Sequence, residues 1–204
     1  AGRFLRGEGD PHDPSDVERV LTTTTRSSLH GYDLVIAAPR TTSLLLAMND
    51  LFAPLIVSAH QEAVKASFRY LEERAFVSRD RRQGRDIYTS GTFSRVASYT
   101  HGVNHHGDPH LHDHVVFGAR LQGATVVIDG LSLRVHIEAA NAIYLAHLRY
   151  ALGRDTPYVA WRSFQGIEHV AGLDEGWRSL FGGHHVERGP KQWWHVQNIR
   201  GRWE

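Results

Sequence analysis

The pattern of apolar and polar residues in the first part of the chain predicts a strand followed by two helices. Residues 33–38 are a short apolar run that ends at Pro39, which predicts a buried strand, and 41–51 continue with helical spacing. A second helix is predicted over 54–74, because Pro54 suits a first helical turn and apolar side chains recur on one face. That predicted apolar face consists of Leu55, Ala59, Ala63, Ala66 and Tyr70.

The rest of the chain predicts more strands, with one long helix among them. Strand composition at 92–101 and at 111–121 is separated by a turn signal, Gly107-Asp108-Pro109. Because the strands are interrupted by helices without a regular strand-helix-strand alternation, we expect an α+β fold, a central antiparallel β-sheet flanked by helices in two or three layers. The other predicted elements are a helix at 16–21, a strand containing Ile87 and Tyr88, a strand at 125–128, a long helix around 137–152, a hairpin formed by 158–164 and 167–170, and a helix near 174–181.

Length and composition narrow the class of protein. The 204 residues suit one domain, 1–204, in which 1–15 form an arm and 190–204 begin a further C-terminal segment. The 23 Lys and Arg balance 22 Asp and Glu, so a DNA-binding function must rest on local charge. The absence of cysteine excludes disulfides and thiolate metal sites. Since no apolar run approaches the ~20 residues of a membrane span, we expect no membrane insertion. The absence of cysteine suits a cytoplasmic location, and we also expect a monomer. Met48 is the only methionine, so Ala1 is not an encoded start, and we expect a chain that is either processed or excised from a longer one.

Six histidines fall within a fourteen-residue stretch, H-G-V-N-H-H-G-D-P-H-L-H-D-H, at 101–114. In a strand over 111–121, His112 and His114 point the same way, and His101 can reach the same pocket from the neighbouring strand. Three neutral imidazoles suit a divalent metal ion and leave coordination positions open for water or substrate. We therefore predict a metal site at His101, His112 and His114, hereafter the histidine trio.

Other polar and aromatic residues have two interpretations each. His105 and His106 are predicted to lie in a solvated loop. The run S-R-D-R-R-Q-G-R at 78–85 is also predicted to be a solvated loop, although its position before the histidine strands would allow a contact with phosphate. The candidate DNA contacts in that run are Arg79, Arg81, Arg82 and Arg85. Trp161, Trp193 and Trp194 are either core residues or platforms on which unpaired bases stack.

Several ordered motifs give the chain a resemblance to a known family. G-Y-D-L-V-I-A-A-P-R-T-T-S-L-L at 31–45 is similar to the strand-helix signature of the MobF-type conjugative relaxases, which are HUH endonucleases, and 101–116 is similar to their metal motif. A-H-Q-E-A-V at 59–64, Y-L-E-E-R-A at 70–75 and I-Y-L-A-H-L-R at 143–149 resemble helices of the family in the same order. The resemblance spans nearly the whole chain.

This resemblance implies a DNA strand-transfer function. Such relaxases nick one strand of plasmid DNA at an origin of transfer, oriT, and keep the 5′ end on a tyrosine. The implied partners are single-stranded or hairpin DNA and other proteins of a transfer complex. The histidine trio matches the family's metal triad, for one divalent cation, which is Mg, Mn, Zn or Ni. Asp33 matches an acidic residue that supports a metal histidine or accepts a proton from the nucleophile, although by itself it would suit a turn before the strand. Arg40 stands where a lysine is usual, and is a further candidate DNA contact.

One feature departs from the family pattern. The nucleophilic tyrosine of the family lies upstream of the Gly31 signature, and no tyrosine occurs in the thirty residues before Gly31. The alternative function is therefore a relaxase-like module that binds single-stranded or hairpin DNA without nicking it. Tyr99, which shares a strand face with His101, and Tyr32, beside Asp33, are the candidates for a substitute nucleophile. A three-histidine zinc hydrolase is disfavoured because no Glu follows the trio at the spacing of a base for metal-bound water.

Overall fold

The fold is seen in a computed structural model that describes residues 29–48, 50–93, 95–104, 107–124, 127–156, 159–164, 167–171 and 194–200. In chain order its elements are β1 (Leu29–Ala37), α1 (Arg40–Met48), α2 (Ala53–Arg74), β2 (Val77–Arg82), β3 (Arg85–Ser90), β4 (Val96–Val103), β5 (Pro109–Gly118), α3 (Gly130–Asp155), β6 (Trp161–Phe164), β7 (Ile167–Val170) and β8 (Trp194–Arg200). The helices predicted at 16–21 and 174–181, and the loop residues His105 and His106, lie outside the described residues.

The central element is a four-stranded antiparallel sheet in the order β4-β5-β1-β8. β5 is an interior strand, because β4 pairs with one side of it and β1 with the other. β8 pairs with the remaining side of β1, so 194–200 belong to this sheet. Strands of one sheet with helices between them in the chain confirm the predicted α+β class.

One face of the sheet is buried beneath α2 and α3. Alternate side chains of β1 and β5, including Leu34, Ile36 and Phe117, are fully buried in one core cluster. The helices complete that cluster with residues that include Ile56, Phe68, Leu71, Tyr144 and Leu148. Because successive strand residues point to opposite faces, Asp33 and His114 lie on the other face of the sheet. Packing in the core therefore fixes β1, which carries Asp33, against β5, which carries His112 and His114.

The buried face of α2 is shifted by one residue from the predicted one. Ala59 and Ala63 are buried as predicted, but Leu55, Ala66 and Tyr70 are only half-buried. The remaining buried positions are Ile56, His60, Val64, Ser67, Phe68 and Leu71. The prediction was wrong here because the buried face includes polar residues. Their burial depends on hydrogen-bond partners that the sequence does not reveal, such as Tyr144 for His60.

The arginine-rich run at 78–85 forms β2 and the turn into β3, so the prediction of a loop there was wrong, whereas the predicted strand containing Ile87 and Tyr88 is confirmed as β3. β2 and β3 pair in register around a tight turn, with Gln83 and Gly84 at φ 51° and 79°. Two-residue hairpin turns of this kind require positive φ at the central residues. We call β2 and β3 together the arginine hairpin, after Arg79, Arg81, Arg82 and Arg85.

The segment after β5 also differs in part from the prediction. Of the strand predicted at 125–128, the described residues Val127 and Ile128 make isolated bridges to Arg120 and Ser78. α3 begins earlier than predicted, because the Asp129 side chain caps it by accepting a hydrogen bond from the Leu131 amide at 3.2 Å. The predicted hairpin over 158–164 and 167–170 is confirmed as β6 and β7.

Candidate metal centre

The pairing of β4 with β5 brings the histidine trio together. His101 lies directly opposite His112, and His114 follows on the same face of β5. The ring centroids are 5.1 to 5.3 Å apart, and one ring nitrogen from each histidine lies within 4.8 Å of the other two. Two imidazole nitrogens bound to one ion are at most ~4.2 Å apart, so small ring rotations bring the trio to bonding distance.

Hydrogen bonds orient two of the three imidazoles as metal ligands require. His114 Nδ1 donates to the carboxylate oxygens of Asp33, 2.9 and 3.0 Å away. His112 Nδ1 donates to the backbone carbonyl of His110 at 2.8 Å. Because the proton sits on Nδ1 in each ring, Nε2 carries the lone pair that binds a cation. With exposed His101 at the edge of the sheet as the third donor, the residues fit one divalent cation.

Asp33 reaches the trio because β1 lies beside β5. Val35 is directly opposite His114, and Asp33 is two residues away on the same face. Asp33 is therefore a mid-strand residue, and its interpretation as a turn residue before the strand was wrong. The hydrogen bond from His114 to Asp33 raises the pKa of His114 above its ordinary value, whereas burial lowers the pKa of His112.

We expect Asp33→Asn to weaken binding of a divalent cation by about 10- to 100-fold, the usual effect of losing a carboxylate that orients a metal histidine. The amide keeps the shape of the side chain but removes the charge that stabilises His114 as an Nδ1–H donor. Calorimetric titration of the metal-free protein with Ni²⁺ measures the affinity. Asp80→Asn, in the arginine hairpin, is the control and should bind as the unaltered protein does. Equal affinities for the two variants would contradict a supporting role for Asp33.

His110 extends the row of histidines on this face of β5. No function was predicted for it. Its ring lies 4.6 Å from that of His112, at an interplanar angle of 31°. Burial, with the neighbouring His112 and Arg40, lowers the pKa of His110 to about 4. His110 is therefore uncharged at neutral pH. The alternation of histidines at 110, 112 and 114 was the sequence signal that could have placed it on this face.

A buried polar network lies behind the trio, on the core face of β5, and was also missed. Asp113 accepts hydrogen bonds from His60 Nε2 at 3.1 Å and from Ser98 Oγ at 2.6 Å. His60 Nδ1 is 2.6 Å from the hydroxyl of Tyr144 on α3. Burial raises the pKa of Asp113, but hydrogen bonds from His60, Ser98 and Thr100 outweigh it and hold the pKa below its ordinary value. Burial raises the pKa of Tyr144 well above its ordinary value. No local pattern marks a lone His on an apolar helix face as part of such a network.

The candidate DNA-binding arginines fall in two places. Arg40 is the first residue of α1, half-buried, and close enough to His110 for its charge to lower the pKa of that imidazole. The other four lie on the arginine hairpin, which is a sheet separate from the one that carries the trio. Asp80, 2.6 Å from Arg82, and Asp86, opposite Arg81, offset part of the hairpin's positive charge.

The two candidate substitute nucleophiles lie on opposite faces of the sheet. Tyr32 is 4% exposed and stacks on Phe117 in the core, with ring centroids 5.6 Å apart, so it faces away from the trio. Tyr99 is half-buried and directly opposite His114, on the face of the trio. Of the candidate stacking residues, Trp161 packs against the core, Trp193 is outside the described residues, and only the backbone of Trp194 is described.

Solved structures of the conjugative relaxase TrwC with oriT DNA share this fold. A metal-bound complex has a TM-score of 0.67 and 21% identity over 89% of this chain and 68% of that chain. A metal-free complex gives a TM-score of 0.65 and 21% identity over 89% and 69%. A complex with a 27-mer DNA comprising the recognition hairpin and the cleavage site gives 0.64 and 22% over 88% and 69%. No curated protein sequence matches this chain significantly.

The α+β fold, with a central antiparallel sheet that gathers three histidines beside a carboxylate, is the arrangement that the resemblance to the relaxases implied. A family model described as TrwC relaxase matches residues 5–182. The chain belongs to the TrwC relaxase family, as its resemblance to the MobF-type relaxases predicted. Members of this family are DNA-nicking enzymes. Among the described residues, no helix has the length and apolar character needed to cross a membrane.

Proposed function

We propose that this chain is the relaxase domain of a conjugative or mobilisable element, and that it nicks one strand of oriT DNA at a specific site by metal-dependent transesterification. The observation that carries the proposal is the histidine trio with its Asp33 partner in a chain of the TrwC relaxase family. The similar solved relaxases are bound to oriT DNA, in one case with the recognition hairpin and the cleavage site. They support single-stranded or hairpin DNA as the substrate.

The residues of the site have distinct roles in this chemistry. The trio would hold one divalent cation, for which we propose Mg, Mn, Zn or Ni; three nitrogen ligands favour Zn and Ni among these. When bound, such a cation polarises the scissile phosphate and stabilises charge on its oxygens. Asp33 orients His114 and keeps its proton on Nδ1. In transesterification a tyrosine oxygen bonds to phosphorus, the bond to the 3′ oxygen breaks, and that oxygen leaves as the 3′ hydroxyl.

The experiment that tests this function looks for a covalent protein–DNA product. The 204-residue chain should bind an oriT-like oligonucleotide without forming an adduct that survives denaturant, because no tyrosine precedes Gly31 in it and Tyr32 faces the core. A fusion that adds a tyrosine-bearing strand upstream should form the adduct, and Tyr→Phe in that strand should abolish it. Failure of every such fusion to cut oriT-like DNA would refute the nicking function.

Tyr99 provides a control within the same experiment. It is the tyrosine that the described residues place on the face of the trio, opposite His114. If the 204-residue chain does form a stable adduct, Tyr99→Phe should remove it, and the expectation of no adduct is then wrong. Tyr150→Phe, at an exposed position of α3, is the matched substitution that should leave any adduct unchanged.

A second candidate function is a relaxase-like module that binds single-stranded or hairpin DNA without cutting it. It is the function expected of the 204 residues by themselves, which contain no tyrosine before Gly31. The two functions differ in the fate of the DNA, since only nicking leaves a free 3′ hydroxyl. Tight binding by the tyrosine-bearing fusion, with the oligonucleotide intact after incubation with Ni²⁺ or Mn²⁺, would support the second function.

We expect the arginine hairpin to contribute phosphate contacts. Replacing Arg81 and Arg85 together by Ala should weaken binding to single-stranded DNA and reduce the slope of log K against log salt by about 1.4, since each single-strand phosphate contact contributes about 0.7. Fluorescence anisotropy from 50 to 200 mM salt measures both. Arg154→Ala is the control, because Arg154 pairs with Asp155 and Glu62 on the helices. An unchanged salt slope would exclude the hairpin as a phosphate-binding surface.

Several further properties complete the proposal. We propose one relaxase-like domain over 1–204, a monomeric state and a cytoplasmic location. Other proteins of a transfer complex are proposed as partners alongside DNA. The arginine at position 40, close to the row of histidines, is proposed as a contact for phosphate near the metal centre, because its charge lies beside His110.

A further inference from the structure

The polar network behind the trio links β4 and β5, the two strands that carry the trio, with α2 and α3. Asp113 lies on β5 between His112 and His114, with its side chain on the opposite, core face of the sheet. It is 2% exposed and accepts hydrogen bonds from His60 of α2 and Ser98 of β4. In the neutral tautomer with Nε2–H donating to Asp113, His60 Nδ1 accepts from the Tyr144 hydroxyl.

We propose that Asp113, with His60 and Ser98, positions the histidine trio by tying β4 to β5 and both strands to α2. These are positioning residues, because none of them lies on the face of the sheet that carries the trio. The proposal rests on the proposed metal function of the trio. Residues on the core face of β5 would thus set the distances between the three ligands on the opposite face of the sheet.

The position of β4 makes such a tie necessary. Among the residues that the structure describes, β4 is the edge strand of the sheet and has one neighbour, β5. Its register with β5 is irregular between His101 and Val103, so the ladder is weakened next to the ligand that β4 supplies. The Ser98–Asp113 bond, at 2.6 Å, is a side-chain link between the two strands on the N-terminal side of that irregularity.

α2 holds each metal strand through a neighbouring residue. His60 bonds to Asp113 on β5, at 3.1 Å. Gln61 Nε2 donates to Thr100 Oγ1 on β4, at 3.2 Å, and Thr100 is directly opposite Asp113 and adjacent to His101. Two consecutive helix residues thus fix the two strands relative to one rigid element. Ligands that are held within about 0.5 Å of their productive geometry depend on supports of this kind.

The same hydrogen bonds would also stabilise a fold that has no metal site. The test must therefore separate an effect on the geometry of the ligands from an effect on the stability of the fold. The Tyr70–His136 bond, at 2.8 Å, joins the same two helices without contact to β5. Tyr70→Phe therefore serves as the control for loss of a bond between α2 and α3. The serine at position 98 offers a mild change in the network itself, since Ser98 is on the exposed edge strand.

The experiment titrates Co²⁺ into the metal-free chain and records its visible absorption bands, which report ligand geometry, together with its affinity. Ser98→Ala and Asp113→Asn should each shift the bands and weaken Co²⁺ binding by about tenfold, the lower end of effects from residues that support ligands. Ser98→Thr, which keeps the hydroxyl, should restore both. Tyr70→Phe should leave both unchanged even if it lowers the melting temperature.

The outcomes separate this proposal from the metal function on which it rests. Unaltered bands and affinity in folded Asp113→Asn or in Ser98→Ala, with binding lost in His112→Ala, would overturn the positioning role alone. Full Co²⁺ stoichiometry in His112→Ala would instead overturn the metal site. If Asp113→Asn does not fold, Ser98→Ala and Gln61→Ala decide, because each removes one tie from β4 and leaves the buried carboxylate with His60.

Discussion

His112→Ala is expected to abolish stoichiometric binding of a divalent cation, and nicking with it. His112 is the central ligand of the trio, opposite His101 in the ladder and two residues from His114. At 7% exposure it is buried, and its Nδ1 is engaged with a carbonyl so that Nε2 is the ligand atom. With two imidazoles left, the site loses the three-ligand set that open metal centres use. Metal analysis after dialysis should fall from about one ion per chain to near zero.

His110→Ala is the matched control for this prediction. It removes an imidazole from the same strand and the same face, 4.6 Å from the ring of His112. The bond that orients His112 is to the backbone oxygen of residue 110 and survives the substitution. The control should keep its ion. Full stoichiometry in His112→Ala, or equal loss in both variants, would show that the trio is not the binding site.

The largest loss of stability is expected from Phe117→Ala. Phe117 is fully buried on the core face of β5 and touches four aromatic rings, with centroid distances from 4.9 to 5.7 Å. Those rings belong to Tyr32, Phe68, Phe76 and Phe93. Removing a ring of this kind leaves a cavity and lowers the free energy of unfolding by about 3–5 kcal/mol. Urea unfolding of the metal-free chain measures the change.

Tyr88→Ala supplies the comparison for that measurement. Tyr88 is 57% exposed on the arginine hairpin, so its removal should change the free energy of unfolding by about 0.5 kcal/mol or less. Because β5 carries two ligands of the trio, Phe117→Ala should also weaken cation binding at temperatures where the variant remains folded. If Phe117→Ala lowers the free energy of unfolding by less than about 1 kcal/mol, the aromatic cluster is not the centre of the core.

The histidine trio could be predicted from sequence because its geometry is local. Alternation along one strand places His112 and His114 together, and the turn at 107–109 brings His101 back beside them. β1 was predicted from its apolar run for the same reason. The contact of Asp33 with His114 was not available from local pattern, since it depends on which strand lies beside β5. The resemblance to the relaxases supplied it.

The elements that were misjudged are those whose signal depends on partners elsewhere in the chain. The arginine run at 78–85 contains no alternation of apolar and polar residues, so it lacks the pattern that marks a half-buried strand. His60 and Asp113 are buried because each satisfies the other, and no periodicity shows that two polar residues 53 positions apart will meet.

All three ligands of the metal centre lie on one hairpin, β4 and β5, and this affects the order in which the centre can assemble. The trio needs only the closure of a short loop between β4 and β5, whereas Asp33 meets His114 across 81 positions of chain. Loop-closure entropy grows with the logarithm of length, which makes the longer closure less favourable by about 2 kcal/mol. The three imidazoles therefore require less chain ordering than their carboxylate partner. We expect a folding chain to bring the three imidazoles together before β1 pairs with β5 and Asp33 orients His114.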